Sequence, residues 1–184
     1  VVDEGMNILG RLRGRRVASL ASLLSQTEPC VAAASNYYAT QLLREVGGFD
    51  ETLRYAWPYD MACRLTAAGY EPMVVTEDLS AVMHKEKSLT PESALQRGRE
   101  AVIVAERYMD ELDDRAERAG VWQSCDQRRR ILAIAEAEAY SNRAQSMLLR
   151  QVERRPWWLQ DKSIRSVLAN GPSHPLSDDL RKAA

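Results

Sequence analysis

The sequence predicts an α/β domain carrying an α-helical extension, and three observations predict it. Residues 1–88 alternate short β-like runs with short helical repeats, each interrupted by Gly or Pro. From Thr90 onward, apolar residues recur at steps of three and four with little interruption. With 184 residues, 45% of them hydrophobic and 28% charged, the chain has enough apolar content for a compact core. The division is placed at 1–88 and 89–184.

Val1 to Arg13 reads as a strand, a turn at Asp3-Glu4-Gly5, and a returning strand. A chain start at Val1-Val2, inside such a strand, suggests truncation. Between Arg15 and Gln26 the spacing of Val17, Leu20, Ala21, Leu23 and Leu24 predicts a helix that Pro29 closes. Cys30 to Ala34 reads as a short strand of small residues leading into Ser35-Asn36. Thr40 can cap a helix over Gln41–Val46, which Gly47-Gly48 stops. Pro58 and Asp60 suit the first turn of the next helix, which Gly69 ends. Tyr70–Val75 and Leu79–Met83 follow as strand candidates, with a turn after His84.

The extension opens on Thr90-Pro91-Glu92, a cap followed by proline and an acidic first turn. Leu95, Gly98, Val102, Ala105, Met109 and Leu112 form a narrow packing stripe, and Gly120 is expected to break that helix. A second long helix is expected from about Asp126 to Glu153, with Ile134, Ala137, Ser141, Ala144, Leu148 and Val152 on one face and Pro156 at its end. The last dozen residues read as a frayed tail.

Composition narrows the partners. A formal net charge of −1 lacks the basic surplus of a nucleic-acid binder. No apolar run approaches the roughly 20 residues that span a bilayer, and no signal peptide is visible. Cys30, Cys63 and Cys125 are odd in number and far apart, which reads as three reduced thiols in a cytoplasmic protein and argues against zinc. Arg154-Arg155-Pro156-Trp157-Trp158 has two readings, a peripheral contact at the inner membrane face or tryptophans that pack the tail back onto the protein.

Three ordered segments over about residues 30–92 carry a resemblance. Leu42-Leu43-Arg44-Glu45-Val46-Gly47-Gly48-Phe49-Asp50-Glu51 resembles a signature of inverting family 2 glycosyltransferases with the GT-A fold. Asp60-Met61-Ala62-Cys63-Arg64-Leu65-Thr66-Ala67-Ala68-Gly69-Tyr70 is similar to that family's "DLxLRLxxxGY". His84 to Thr90 resembles its "RxHxxSLS" segment. The resemblance implies the C-terminal, acceptor-side half of a GT-A (nucleotide-diphospho-sugar transferase) fold. It implies transfer of a sugar, with inversion, from a nucleotide-diphospho-sugar donor to a saccharide or lipid-linked hydroxyl acceptor, in polysaccharide or cell-envelope glycosylation. A divalent metal, Mn or Mg, is implied for the full-length protein. No DxD metal motif stands in a suitable place here, so the donor-binding half is expected to be absent and the chain to be inactive alone.

Inverting transfer needs a stabilised diphosphate, a carboxylate base for the acceptor hydroxyl, and alignment of the two substrates. Against the family's "EDxDLxLR", Trp57-Pro58-Tyr59-Asp60 puts proline at the usual base position. Asp60 therefore has two readings, a catalytic base or a charged first turn, with a possible Arg64 partner one turn on. Ser35, Asn36, Trp57 and Tyr59 are the candidate substrate-binding residues; each also has a structural reading, in a self-bonded turn or in packing at the helix start. His84 is the candidate metal or diphosphate contact, or an ordinary loop histidine. Phe49, the one Phe in the chain, is expected to plug the core beneath a sheet. The alternative to an enzyme is a non-catalytic sugar-binding or scaffold module with a degenerate site.

Overall fold

A computed structural model describes residues 2, 4–11, 17, 19–26, 36–75, 77, 80–81, 90–139 and 141–169. The described elements are α1 (Leu20–Leu24), α2 (Thr40–Glu45), α3 (Trp57–Ala67), α4 (Pro91–Met109), α5 (Arg115–Ala139) and α6 (Ser141–Arg154). A 3₁₀ helix (Pro156–Gln160) and α7 (Lys162–Ala169) follow. Two compact units result, Val1–Cys125 and Asp126–Ala184, and the boundary falls inside α5. This boundary differs from 88/89 because α4 shares its core with α1 and α3.

The expected α/β class is overturned. Among the described residues there is no sheet, and therefore no GT-A half-domain. The only pairing among them is a single antiparallel bridge between Val2 and Ile8, across the turn at Glu4-Gly5. Tyr70–Val75 has the β-favouring Tyr and Val residues, yet it runs without a ladder and leaves Met73 87% exposed. Strand propensity records how a side chain fits a half-buried pleated surface, and among the described residues no neighbouring strand supplies one. The strand candidate at Cys30–Ala34 and most of Leu79–Met83 lie outside the described residues.

Local punctuation accounts for most helix ends. Ser19 and Ser22 exchange backbone and side-chain hydrogen bonds in a capping box, so α1 starts later than its apolar spacing suggested. Ala39, not Thr40, stands at the N-cap of α2 and supplies no side-chain bond. α2 ends in Gly47 and Gly48 at φ +83° and +76°, with the Gly48 N–H donating to the Leu43 carbonyl at 2.7 Å. α3 ends likewise: Gly69 is at φ +84° and the Tyr70 N–H donates to the Leu65 carbonyl at 2.9 Å. Thr90 Oγ1 accepts from the Ser93 N–H and caps α4.

Gly120 does not break a helix. It lies within α5, between the capped start at Asp114 and the buried Val121. A mid-helix glycine costs only about 1 kcal/mol relative to alanine, which packing overrides. The break comes earlier, where Asp114 Oδ1 accepts from the backbone N–H groups of Ala116 (2.6 Å) and Glu117 (2.9 Å). The second long helix is likewise two helices, α5 and α6, with Tyr140 between them outside the described residues.

These glycines yield a paired prediction. A Cβ at either Gly48 or Gly120 meets nothing within 4 Å, so only backbone preference distinguishes them. Gly48→Ala is expected to destabilise by about 1 kcal/mol because its φ is left-handed. Gly120→Ala is expected to stabilise by about 1 kcal/mol. Denaturant midpoints of the two variants should move in opposite directions.

In the first unit, Leu23 and Leu24 of α1, Tyr59 and Cys63 of α3, and Val104, Ala105 and Tyr108 of α4 form the core. Val121 and Cys125 of α5 complete it. In the second unit Ala137, Leu148, Val152, Trp158, Ile164 and Leu168 are buried together. Here Asp126 accepts from both indole N–H groups, Trp157 at 3.1 Å and Trp158 at 3.0 Å, and Arg155 lies over the Trp158 ring at 5.3 Å. Trp158 is thus core, and of the pair only Trp157 keeps a solvent-facing surface. Among the described residues no helix is long and apolar enough to cross a membrane.

Candidate functional site

The residues of the glycine-phenylalanine segment and of α3 assemble around one buried carboxylate. Asp60 has no exposed surface. Its Oδ2 accepts from Arg64 Nε (2.9 Å) and Nη2 (2.5 Å), one helical turn on. Its Oδ1 accepts from Arg107 Nη1 (2.9 Å) and the Tyr108 hydroxyl (3.1 Å), both on α4. The remaining donors reach outward. Arg64 Nη1 donates to the Val46 carbonyl at 2.9 Å, just before Gly47, and Arg107 Nη1 also donates to Asp50 Oδ2 at 2.9 Å.

Asp60 thus ties α3, α4, the end of α2 and the Phe49-Asp50-Glu51 turn into one network. Both of its oxygens are occupied by charge-assisted or hydroxyl donors, and it is fully buried. A carboxylate so engaged acts as a structural hub. The Tyr108 hydroxyl is pushed up to about 12 by burial and then by the adjacent Asp60 charge, so it remains a donor at any working pH.

Asp50 is fixed in turn. Its Oδ1 accepts from the Thr52 hydroxyl (2.6 Å) and the Thr52 backbone N–H (3.0 Å). The Thr52 hydroxyl and then Arg107 hold its carboxyl at about 2, below the ordinary 3.8. Because this pKa is depressed on folding, the Asp50 contribution is complete above pH 3.8 and is lost as pH falls through about 2. Solvent screening keeps that contribution small.

On the solvent side of this turn lies an open hollow of about 320 Å³, lined by Phe49, Asp50, Glu51, Leu53 and Trp57. Phe49 meets Trp57 edge-on, with ring centroids 5.0 Å apart, and meets Tyr38 edge-on at 6.1 Å. Burial raises the Tyr38 hydroxyl pKa, and a hydrogen bond with the Asn36 side chain partly offsets this. Phe49 is 44% exposed. It is a wall of the hollow, not the expected core plug, and the described residues contain no sheet for it to sit beneath.

Two of the sequence-predicted binding residues therefore converge: Asn36 and Trp57 are joined through Tyr38 and Phe49. Tyr59 does not join them; it is buried, and its hydroxyl donates to the Leu23 carbonyl at 3.4 Å. Ser35 and His84 lie outside the described residues.

Sequence reading missed Arg107, Tyr108 and Glu100. Glu100 of α4 accepts from the backbone N–H groups of Tyr55 (2.7 Å) and Ala56 (2.9 Å), capping α3 from a distance. Burial pushes this carboxyl up, but the backbone donors of Tyr55, Ala56 and Arg54 and the Gln96 amide outweigh it and leave it below its ordinary value. No motif marks these three residues, which lie 44 to 57 positions from their partners.

The described residues contain no group of three or more His, Cys, Asp or Glu arranged to hold a metal ion. Comparison of the chain with protein-family models, with curated proteins and with solved structures gave no match.

Proposed function

We propose that this chain supplies acceptor binding for a glycosyltransferase, presenting a saccharide or lipid-linked hydroxyl acceptor to a nucleotide-diphospho-sugar donor. The observation that carries this reading is the aromatic-walled hollow built by Phe49 and Trp57, braced from behind by Asp60 and Arg107. Apolar sugar faces pack on aromatic rings, and carboxylates at the rim accept hydroxyl hydrogens. The part assigned to this chain is binding and orientation, and Asp60 serves as a positioning residue. Cys63 and Cys125 are buried and form no disulfide, in keeping with a cytoplasmic setting.

The test is titration of the chain with a panel of neutral oligosaccharides, followed by tryptophan emission. Trp57→Ala and Phe49→Ala are each expected to weaken binding about tenfold, with helicity by circular dichroism unchanged. Absence of any saccharide response, or unchanged affinity in both variants, overturns the reading.

A second reading, a non-catalytic sugar-binding or scaffold module, is favoured by the full occupancy of the Asp60 oxygens. Saccharide binding without transfer from any nucleotide sugar, with Mn or Mg supplied to the longest available form of the protein, selects the module over the enzyme.

A further inference from the structure

We infer that the outward face of α6, with Trp157 just past its C-terminal end, docks the chain on an anionic lipid surface. This inference is independent of the saccharide-binding reading and rests on the second unit alone.

Charge is divided unevenly along the chain. Residues 126–184 carry 11 Lys or Arg against 7 Asp or Glu, a net of +4, whereas residues 1–125 carry 14 against 19, a net of −5. The overall −1 therefore conceals a basic unit. Several cations of that unit are committed. Arg130 pairs with Asp161, Arg155 pairs with Asp126, and Arg165 donates to the Leu159 carbonyl. Arg150, Arg154 and Lys162 are exposed and form no ion pair among the described residues. Burial and then the like charge of Arg155 lower the Arg129 guanidinium pKa, so cations crowd one another here.

Helical spacing gathers two of the uncommitted cations. Met147, Arg150 and Arg154 stand at i, i+3 and i+7 and fall on one side of α6. Leu148, Leu149 and Val152, on the opposite side, fill the core. Glu153 is exposed at the flank of the outward face. Met147 is 53% exposed, and Trp157, three residues past Arg154, keeps an exposed surface. Large apolar groups standing in water beside uncommitted cations match a bilayer interface. Headgroup phosphates meet the guanidinium groups while Met and Trp enter the acyl boundary. A nucleic acid would use the cations and leave Met147 in water. Because the apolar side of α6 stays in the core, the contact is peripheral and reversible.

The probes are vesicles of phosphatidylcholine alone and of equal parts phosphatidylcholine and phosphatidylglycerol, cosedimented with the whole chain at low salt. The anionic vesicles are expected to bind at least about tenfold more protein. Raising the salt should release it. Each cation near an anionic surface is worth about fivefold, so the double variant Arg150→Gln, Arg154→Gln is expected to lower partition about 25-fold. Met147→Ser is expected to lower it about threefold. All three positions are exposed, so helicity by circular dichroism should be unchanged. Equal partition into the two vesicles, or a silent double variant, overturns the proposal. So does tighter binding to a duplex DNA oligomer that Met147→Ser leaves unchanged, which would assign the face to nucleic-acid phosphates.

Discussion

Asp60→Ala is expected to lower folding stability by about 3 kcal/mol, far more than the few tenths of a helical surface pair. The cause is asymmetric. Truncation removes one fully buried anion and leaves Arg64, Arg107 and Tyr108 aimed at a cavity. Arg64 is only 20% exposed and rehydrates poorly, whereas Arg107 is 42% exposed and turns to water easily. Arg107→Gln should accordingly cost under about 1 kcal/mol, in the range of a solvated pair. Urea titration of the variants would show this as a shifted midpoint at unchanged slope. If Arg107→Gln proves as damaging as Asp60→Ala, the hub is organised by the arginine and not by the aspartate. The same variants bear on the hollow, because losing Asp60 frees Arg107 and with it the anchor of Asp50.

Trp158→Ala is expected to destabilise the second unit by about 4 kcal/mol. Its indole has no exposed surface and is packed among Leu148, Val152, Ile164 and Leu168. Its N–H is also one of the donors that satisfy the buried Asp126. A unit of this size holds only about 3–5 kcal/mol of net stability, so the variant should be largely unfolded there at 25 °C. Limited proteolysis should then cut within 126–169, with loss of helical circular dichroism. Trp157→Ala is the control. It binds the same Asp126 but is 43% exposed, and should cost about 1 kcal/mol. Equal losses from both substitutions would show that the hydrogen bonds to Asp126, and not burial, govern this unit.

How far the fold was legible depended on the range of the signal. Gly47-Gly48, Gly69, Thr90-Pro91 and Pro156 act through their own backbone, and each ends or starts a helix where the sequence says it should. The helix start at Asp114 is marked locally too, since Asp114 and Glu117 stand three apart as in a capping pair. The strands were not legible because a strand requires a partner; Tyr70–Val75 has the composition and lacks the neighbour among the described residues. At the site, the Asp60–Arg64 pair follows from helical spacing. Its closure by Arg107 and Tyr108, and the remote cap by Glu100, come from tertiary packing of α4, which no local pattern encodes. Asn36 is a candidate only through the resemblance and Trp57 through the stacking capacity of its ring, whereas Phe49 was placed in a core beneath a sheet that the described residues do not contain.

The two units each carry a pair of indoles, Trp57 and Trp122 in one, Trp157 and Trp158 in the other. Iodide can collide with the three that keep some accessible surface, and is shut out from Trp158. Emission that survives saturating quencher is therefore the signature of the 126–184 unit in its folded state. Its red shift on warming times the opening of that unit, while the quenchable fraction draws on Trp57, Trp122 and Trp157 together. One cuvette thus follows both halves of the molecule without any attached dye.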